Sequence, residues 1–403
     1  MWASSPAKLR DDATYFRMSH WISWTARLLT GAVALLLLRF AAGMDEEWTE
    51  RHLLPDILVP SDWLVRIVQI ERFLLLTIAL ALLLSVIFRR RAARPGKIWR
   101  WVGVAAAILL ALPASELAMQ WRSGRAGLAW TPTDEPLRQA DPLIGWTTIP
   151  ARRIIDPEFA SRPLYVIEAH GYRVETGPLD MALPSILFAG ESIMFGKGLN
   201  WRDTIAGRVQ KLSGIQSANL AVNAYSAGQV YLHLKRELPK FHRPVAVVIL
   251  YAPTLLVRDL DRNRPWIDRA GRWHAAERTW YLSRLGRVLF PYRTPSAIEE
   301  AVATDRRLLR ADVAMARARG AQPLVLVPVY QPERPRERAL RSAIFDGGRI
   351  PHVIVPLDRQ WRLSSDPHPD ARAHAAMARA AWMRLNELGL LNDMAAVPDS
   401  SSL

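Results

Sequence analysis

The chain has 403 residues, half of them apolar, no cysteine and a formal charge of +15 at pH 7. That length holds more than one structural unit, and the absence of Cys excludes disulfides, thiolate metal sites and a cysteine nucleophile. The charge invites a nucleic-acid reading, but the arginines are spread along the chain and part of the excess flanks apolar segments, so no nucleic-acid partner is expected.

Residues 1–20 are mixed and polar, with Lys8, Arg10 and Arg17, and predict a short, poorly ordered end. Three apolar segments follow within a membrane region of residues 1–121: about 22–43, 64–88 and 98–120. Each is long enough for a membrane span, which needs ~20 residues. Arg27 and Arg39 lie toward the two ends of the first, where long side chains snorkel to headgroups. Glu71 and Arg72 interrupt the second, and Trp99, Trp101 and Trp121 suit an interfacial aromatic belt. A buried core helix explains any one such segment, but not three in succession. Ala41-Ala42-Gly43 is a poor cleavage site, so an uncleaved span is preferred to a signal peptide.

The connecting charges give an orientation. Asp45, Glu46, Glu47, Glu50, Asp56 and Asp62 oppose a single Arg51 between segments one and two. Between two and three lie Arg89, Arg90, Arg91, Arg94 and Lys97, with no acid. The positive-inside rule puts that basic loop and the N-terminus in the cytoplasm, and everything after residue 121 outside. The expected location is a multi-pass cytoplasmic (inner) membrane protein with a periplasmic or extracellular C-terminal domain.

Residues 122–140, with Ser123, Gly124, Gly127, Pro132 and Pro136, read as a linker. Beyond it, short apolar runs alternate with helical patterns. Ile186–Ala189, Ala218–Val222, Val245–Tyr251, Pro323–Pro328 and Val353–Val355 predict buried strands. Thr204–Leu212 with Asp203 as N-cap, Gln229–Leu238, Ser296–Arg319 and Pro369–Leu388 predict helices. Residues 259–293, rich in Arg and Trp, read as an elaborated loop or short helices, and 393–403 as a disordered tail. Strands alternating with helices make this an α/β domain with a parallel sheet covered on both faces.

Three segments carry chemistry. Gly190-Glu191-Ser192 delivers a serine from the carboxyl end of a buried strand, where open α/β sheets bind ligands. Asn219-Leu220-Ala221-Val222-Asn223-Ala224-Tyr225-Ser226-Ala227-Gly228 follows the next strand, and Asp366-Pro367-His368-Pro369 precedes the last helix. A serine needs a base, which His368 supplies, and a carboxylate to orient the imidazole, for which Asp366 is nearest. Asp370 fits an N-terminal helix acid better. No G-x-S-x-G elbow surrounds Ser192, which argues against an α/β-hydrolase lipase. Gly196-Lys197-Gly198 lacks P-loop spacing, and Lys197 reads as a solvated lysine before a cleft cation. His368 and His374 are poorly spaced for a metal, and neither a metal nor a cofactor is expected.

Taken in order, these segments resemble the SGNH (GDSL-type) hydrolases across roughly residues 141–392. The lead-ins Asp141-Pro142-Leu143-Ile144-Gly145-Trp146 and Ala169-His170-Gly171-Tyr172-Arg173 add to the likeness. The resemblance implies a flavodoxin-like parallel-sheet domain after the three N-terminal transmembrane helices. It implies Ser192 as nucleophile, His368 as base and Asp366 as orienter; His374 matches a His often found after the catalytic one and is read as a structural, hydrogen-bonding histidine. Glu191 stands where the family has Asp.

The resemblance also implies an oxyanion hole of the Ser192 N–H, a glycine N–H and an Asn side chain. Here the glycine position falls to Ala224, with Gly228 four residues on, and Thr254 stands near the Asn position. The expected activity is a membrane-anchored serine esterase or O-acyltransferase acting on an acylated, most simply acetylated, cell-envelope glycan or lipid. The competing expectation, from Glu191, Ala224 and Thr254, is a catalytically degenerate domain that binds an envelope glycan or protein partner. No particular protein partner is implied.

Overall fold

A computed structural model describes residues 6–54, 56–58, 61–88, 110–119, 137–277, 292–346 and 350–389. The chain divides into two compact units, one of residues 1–53 with 61–115, the other of 54–60 with 116–403.

In the first unit, helix α1 runs Pro6–Gly43, α2 Glu46–His52 and α3 Ser61–Phe88. The N-terminal end is therefore helical from Pro6 rather than disordered. Proline suits a first helical turn, and no second proline interrupts the run before Gly43. Asp45 caps α2, its carboxylate accepting Trp48 N–H at 2.7 Å. Within α3, the 23 residues Val65–Ile87 are long and apolar enough to cross a membrane. Its large side chains, among them Phe73, Leu80 and Ile87, are exposed. Arg27–Gly43 reaches that standard only together with Glu46–His52, across an 86° bend. Of the third expected span only α4, Leu110–Met119, is described; it is apolar but too short alone. Among the described residues there is thus one clear span, where three were expected along the whole region. The basic loop 89–97 and the tail 393–403 lie outside the described residues.

The second unit is built on an eight-stranded sheet. Its strands are β3 Arg152–Ile155, β4 Leu164–Ile167, β5 Arg173–Val174, β6 Pro184–Ala189, β7 Gln216–Asn219, β8 Arg243–Leu250, β11 Gln322–Gln331 and β12 His352–Asp358. The spatial order is β12-β11-β8-β6-β7-β5-β4-β3. From β7 to β12 all pairings are parallel. Taken in chain order those five strands lie 2-1-3-4-5, the flavodoxin-like arrangement, and the order reverses between β6 and β8. The sheet is not wholly parallel. β3, β4 and β5 extend it antiparallel, because the connections between them are too short for a crossover helix. A separate hairpin, β1 Arg138–Asp141 with β2 Gly145–Thr148, begins inside the expected linker. The loop after β8 carries a second small hairpin, β9 Trp266–Ile267 with β10 Trp273–His274; residues 278–291 lie outside the description.

Successive residues of a strand face opposite sides, and β6 and β8 show it. Leu187, Ala189, Val247 and Ile249 enter one core with helices α7 Ala227–Glu237, α8 Pro253–Leu260, α9 Pro295–Ala318 and α10 Pro335–Phe345. Ile186, Phe188, Ala246, Val248 and Leu250 enter the other with α6 Ile205–Ser213 and α11 Ala371–Glu387. Thr204, not Asp203, caps α6, accepting Gly207 N–H at 3.1 Å. Burial on both faces explains why these strands are apolar runs without alternation.

Candidate active site

The strand β6 ends at Ala189, and Gly190 turns the chain. A β-carbon on Gly190 would stand 2.8 Å from Met194 Cβ and 3.3 Å from Leu250 Cβ, so only glycine fits. Helix α5, Ser192–Phe195, starts at once, with Glu191 as its N-cap: Glu191 Oε1 accepts Ile193 N–H at 3.0 Å. Behind it, the guanidinium of Arg173 is fully buried and donates to the carbonyls of Phe195, Gly196 and Leu199 at 2.6, 2.9 and 2.6 Å. Asn219 Nδ2 donates to Met194 O at 2.9 Å. The turn carrying Ser192 is therefore held from two other strands, and the lead-in ending in Arg173 has a mechanical role.

Ser192 Oγ lies 2.7 Å from His368 Nε2. His368 Nδ1 makes a short hydrogen bond to Asp366 Oδ1, which also accepts the His368 backbone N–H at 2.8 Å. Asp-Pro-His thus folds into a tight loop in which one carboxylate oxygen serves both groups of the same residue. Arg362 pins that loop, donating to Pro367 O while stacking 4.0 Å over the Tyr330 ring. Asp370 caps α11 through the N–H groups of Arg372 and Ala373. The hydrogen bond from His368 holds the Asp366 carboxyl below the usual range. The structure brings Ser192, His368 and Asp366 into one hydrogen-bonded line, with Ser192 and His368 buried.

Glu191 adds a group that the sequence did not single out for chemistry. Its Oε2 lies 2.5 Å from Ser192 Oγ and 3.1 Å from Arg258 Nη1. Burial alone would push this carboxyl up; the Arg258 charge, His368, the serine hydroxyl and Ile193 N–H together hold it below the usual range. Glu191 is thus a buried carboxylate competing with His368 for the serine hydrogen.

The candidate oxyanion donors part company. Ser192 N–H opens α5, where no carbonyl four residues back serves it. The parallel pairing of β6 with β7 continues as Leu220 N–H to Phe188 O and Val222 N–H to Gly190 O. Beyond Gly190 the strand pairing ends, and Arg258 Nη1 links the two turns, donating to Glu191 Oε2 at 3.1 Å and to Tyr225 O at 2.9 Å. Ala224 has φ +63°, the left-handed region; a non-glycine residue there is strained by about 1–2 kcal/mol. Gly228 N–H is committed elsewhere, to Asp259 Oδ1 at 3.2 Å. It lies inside α7, which explains why it is unsuited to the role. Thr254 is buried in the first turn of α8, and its hydroxyl donates to Asp56 Oδ1 at 2.7 Å. That acid belongs to the same unit as Thr254, and the neighbouring Ile57 O accepts from Arg362 at 3.0 Å. Sequence spacing gave no sign that a segment some two hundred residues away would meet Thr254.

His374 is buried and its pKa is pushed down to about 3, first by burial and then by the charges of Arg173, His368 and Arg208. Lys197 is not a solvated lysine: it pairs with Glu158 at 3.1 Å beside Phe159. Among the described residues no group of three His, Asp or Glu side chains is placed to hold a metal ion.

No family model matches the sequence, and no curated protein matches it significantly. Solved structures that resemble the chain include TesA, with 17% identity and a TM-score of 0.36 over 51% of this chain and 99% of that one. A lipolytic protein of the G-D-S-L family from Desulfitobacterium hafniense DCB-2 gives 13% identity and 0.33 over 50% of this chain and 99% of its own. An acetyl xylan esterase from Butyrivibrio proteoclasticus gives 13% and 0.34 over 53% of this chain and 66% of its own.

Proposed function

We propose that the second unit is a serine esterase of the SGNH kind, and that α1 to α4 attach it to a membrane. The observation that carries this reading is the hydrogen-bonded line Ser192–His368–Asp366 at the carboxyl end of β6, beside the point where the strand order reverses. Ser192 Oγ attacks an ester carbonyl carbon while His368 Nε2 takes its proton. The carbonyl electron pair moves to oxygen, for which the N–H groups of Ser192 and Ala224 are the assigned donors. Collapse breaks the C–O bond, and His368 returns the proton to the leaving alcohol. An incoming hydroxyl, from water or a sugar, then repeats the sequence and releases an acid or a new ester. Asp366 keeps the imidazole in the tautomer that accepts at Nε2 and stabilises the imidazolium. Placement beside a membrane favours an acetylated envelope glycan or lipid as substrate.

Ser192→Ala and His368→Ala should each lower turnover of a short-chain aryl ester by at least about a thousandfold, and Asp366→Asn by a comparable factor. Unchanged turnover in either of the first two removes the reading. A second reading, a binding domain that has lost catalysis, draws on one observation: the Thr254 hydroxyl is spent on Asp56. Losing a third donor costs about 3 kcal/mol of transition-state stabilisation. A wild-type protein that binds glycan but turns over no ester supports that alternative.

A further inference from the structure

The turn after β7 is gripped by three arginines from three different elements. Arg138 on β1 donates to Asn223 O at 3.3 Å, Arg264 to Ala224 O at 2.6 Å, and Arg258 on α8 to Tyr225 O at 2.9 Å. Three successive carbonyls thus each receive a guanidinium. Trp146 completes the grip: its indole N–H reaches Asn223 O at 3.1 Å, and its ring lies 5.6 Å from Arg138 and 5.7 Å from Arg264. Arg138 and Arg264 are buried, and Arg258 is nearly so. Gathering like charges in a dry site is unfavourable. Arg264 registers it: burial, then the charge of Arg258, pushes its pKa down to about 10.

A trans peptide points its C=O and the following N–H in opposite directions. With Asn223 O turned to Arg138 and Trp146, the Ala224 N–H is turned away from them. Tyr225 N–H is spent on Val222 O at 3.3 Å. The same Arg258 nitrogen that holds Tyr225 O also holds Glu191, the neighbour of the serine. The grip therefore acts on the Ala224 N–H, in a turn that Arg258 ties to the neighbour of the serine, and on the one residue of that turn held in an unfavourable left-handed conformation without being glycine.

We propose that Arg138, Arg258 and Arg264 are positioning residues that clamp the Asn223–Tyr225 turn so that Ala224 N–H is preset as an oxyanion donor, their charge offsetting the donor that Thr254 does not supply. This rests on the esterase reading above. The clamp does for alanine what a glycine does by its own conformational freedom, which is why the position tolerates a side chain here.

The test uses full-length protein in detergent with an aryl acetate. Wild type must first show Ser192-dependent turnover; if it does not, the esterase reading falls and the clamp with it. Given that turnover, Arg264→Met should lower kcat by about 10- to 100-fold with KM changed less than about threefold, since the donor acts in the transition state. Arg264→Lys, which keeps one donor and the charge, should recover part of the loss. The loss of kcat on Arg264→Met should also be smaller when it is made in the Ala224→Gly background than in wild type. An unchanged kcat in Arg264→Met, or a loss that neither Lys nor Ala224→Gly relieves in protein with wild-type melting, overturns the clamp while leaving the esterase reading standing. Should Arg264→Met not fold, Arg138→Met carries the same test, with the same kcat-specific loss expected and an unchanged kcat overturning it.

Discussion

A serine hydroxyl has one hydrogen, and Ser192 stands between two acceptors. Glu191 Oε2 at 2.5 Å and His368 Nε2 at 2.7 Å compete for it, and the Asp366 bond keeps the other imidazole proton on Nδ1. Attack needs the hydrogen on the His368 side, so each bond to Glu191 in the resting state must be given up. A hydrogen bond to a neighbour is worth about 1 kcal/mol net. Glu191→Asp withdraws the carboxylate by one methylene while keeping a capping acid. It should raise kcat/KM about fivefold, measured with an aryl acetate. A fall instead shows that Glu191 helps to activate the hydroxyl. Ser192 and the Asp-Pro-His spacing were legible because their chemistry depends on short-range sequence. The competition at Ser192 was not: it depends on Arg258, far along the chain, holding Glu191 ionised.

Elements were legible wherever burial dictated composition. β6, β8 and β11 are apolar runs because both faces are covered, and their positions agree with the expected strands to within a few residues. The antiparallel edge β3–β5 escaped notice, since its strands are at most four residues long and arginines stand in β3 and β5. Helix α10, Pro335–Phe345, was hidden by its many charged residues. On α11, His374 faces the core with Ala373 and Met377. Its folded pKa is about 3 against an ordinary 6.5. The unfolded chain therefore binds the extra proton between those values, and stability is full above pH 6.5 and is lost as pH falls below it. By pH 5 the loss is on the order of 2 kcal/mol. His233, buried with a pKa near 4, adds to it. Melting temperature measured from pH 7.5 to 5 should fall more steeply in wild type than in His374→Gln; equal slopes would show that His374 does not carry this term.

At the scale of the whole molecule the two units differ in kind. One exposes Leu28, Leu36, Phe73 and Ile87, as a lipid-facing surface does, and the other encloses two apolar cores against a sheet. Hydropathy made the apolar helix α3 legible in the first, and strand–helix alternation the sheet of the second. The packing of Asp56 and Ile57 within the second unit was not, because a short segment between two helices carries no pattern that names its partner. The charge asymmetry of the loops predicts an orientation, and the lack of native cysteine makes it simple to test. A single Cys at Ala92 should resist an impermeant maleimide in intact cells, and one at Ser402 should react; the reverse pattern inverts the topology.

The central claim is that Ser192 is an activated nucleophile. The most direct measurement is labelling of the purified full-length protein with a fluorophosphonate, wild type beside Ser192→Ala. The account predicts stoichiometric labelling of wild type and none of the variant. A folded wild type that stays unlabelled, or a Ser192→Ala protein that still labels, contradicts it.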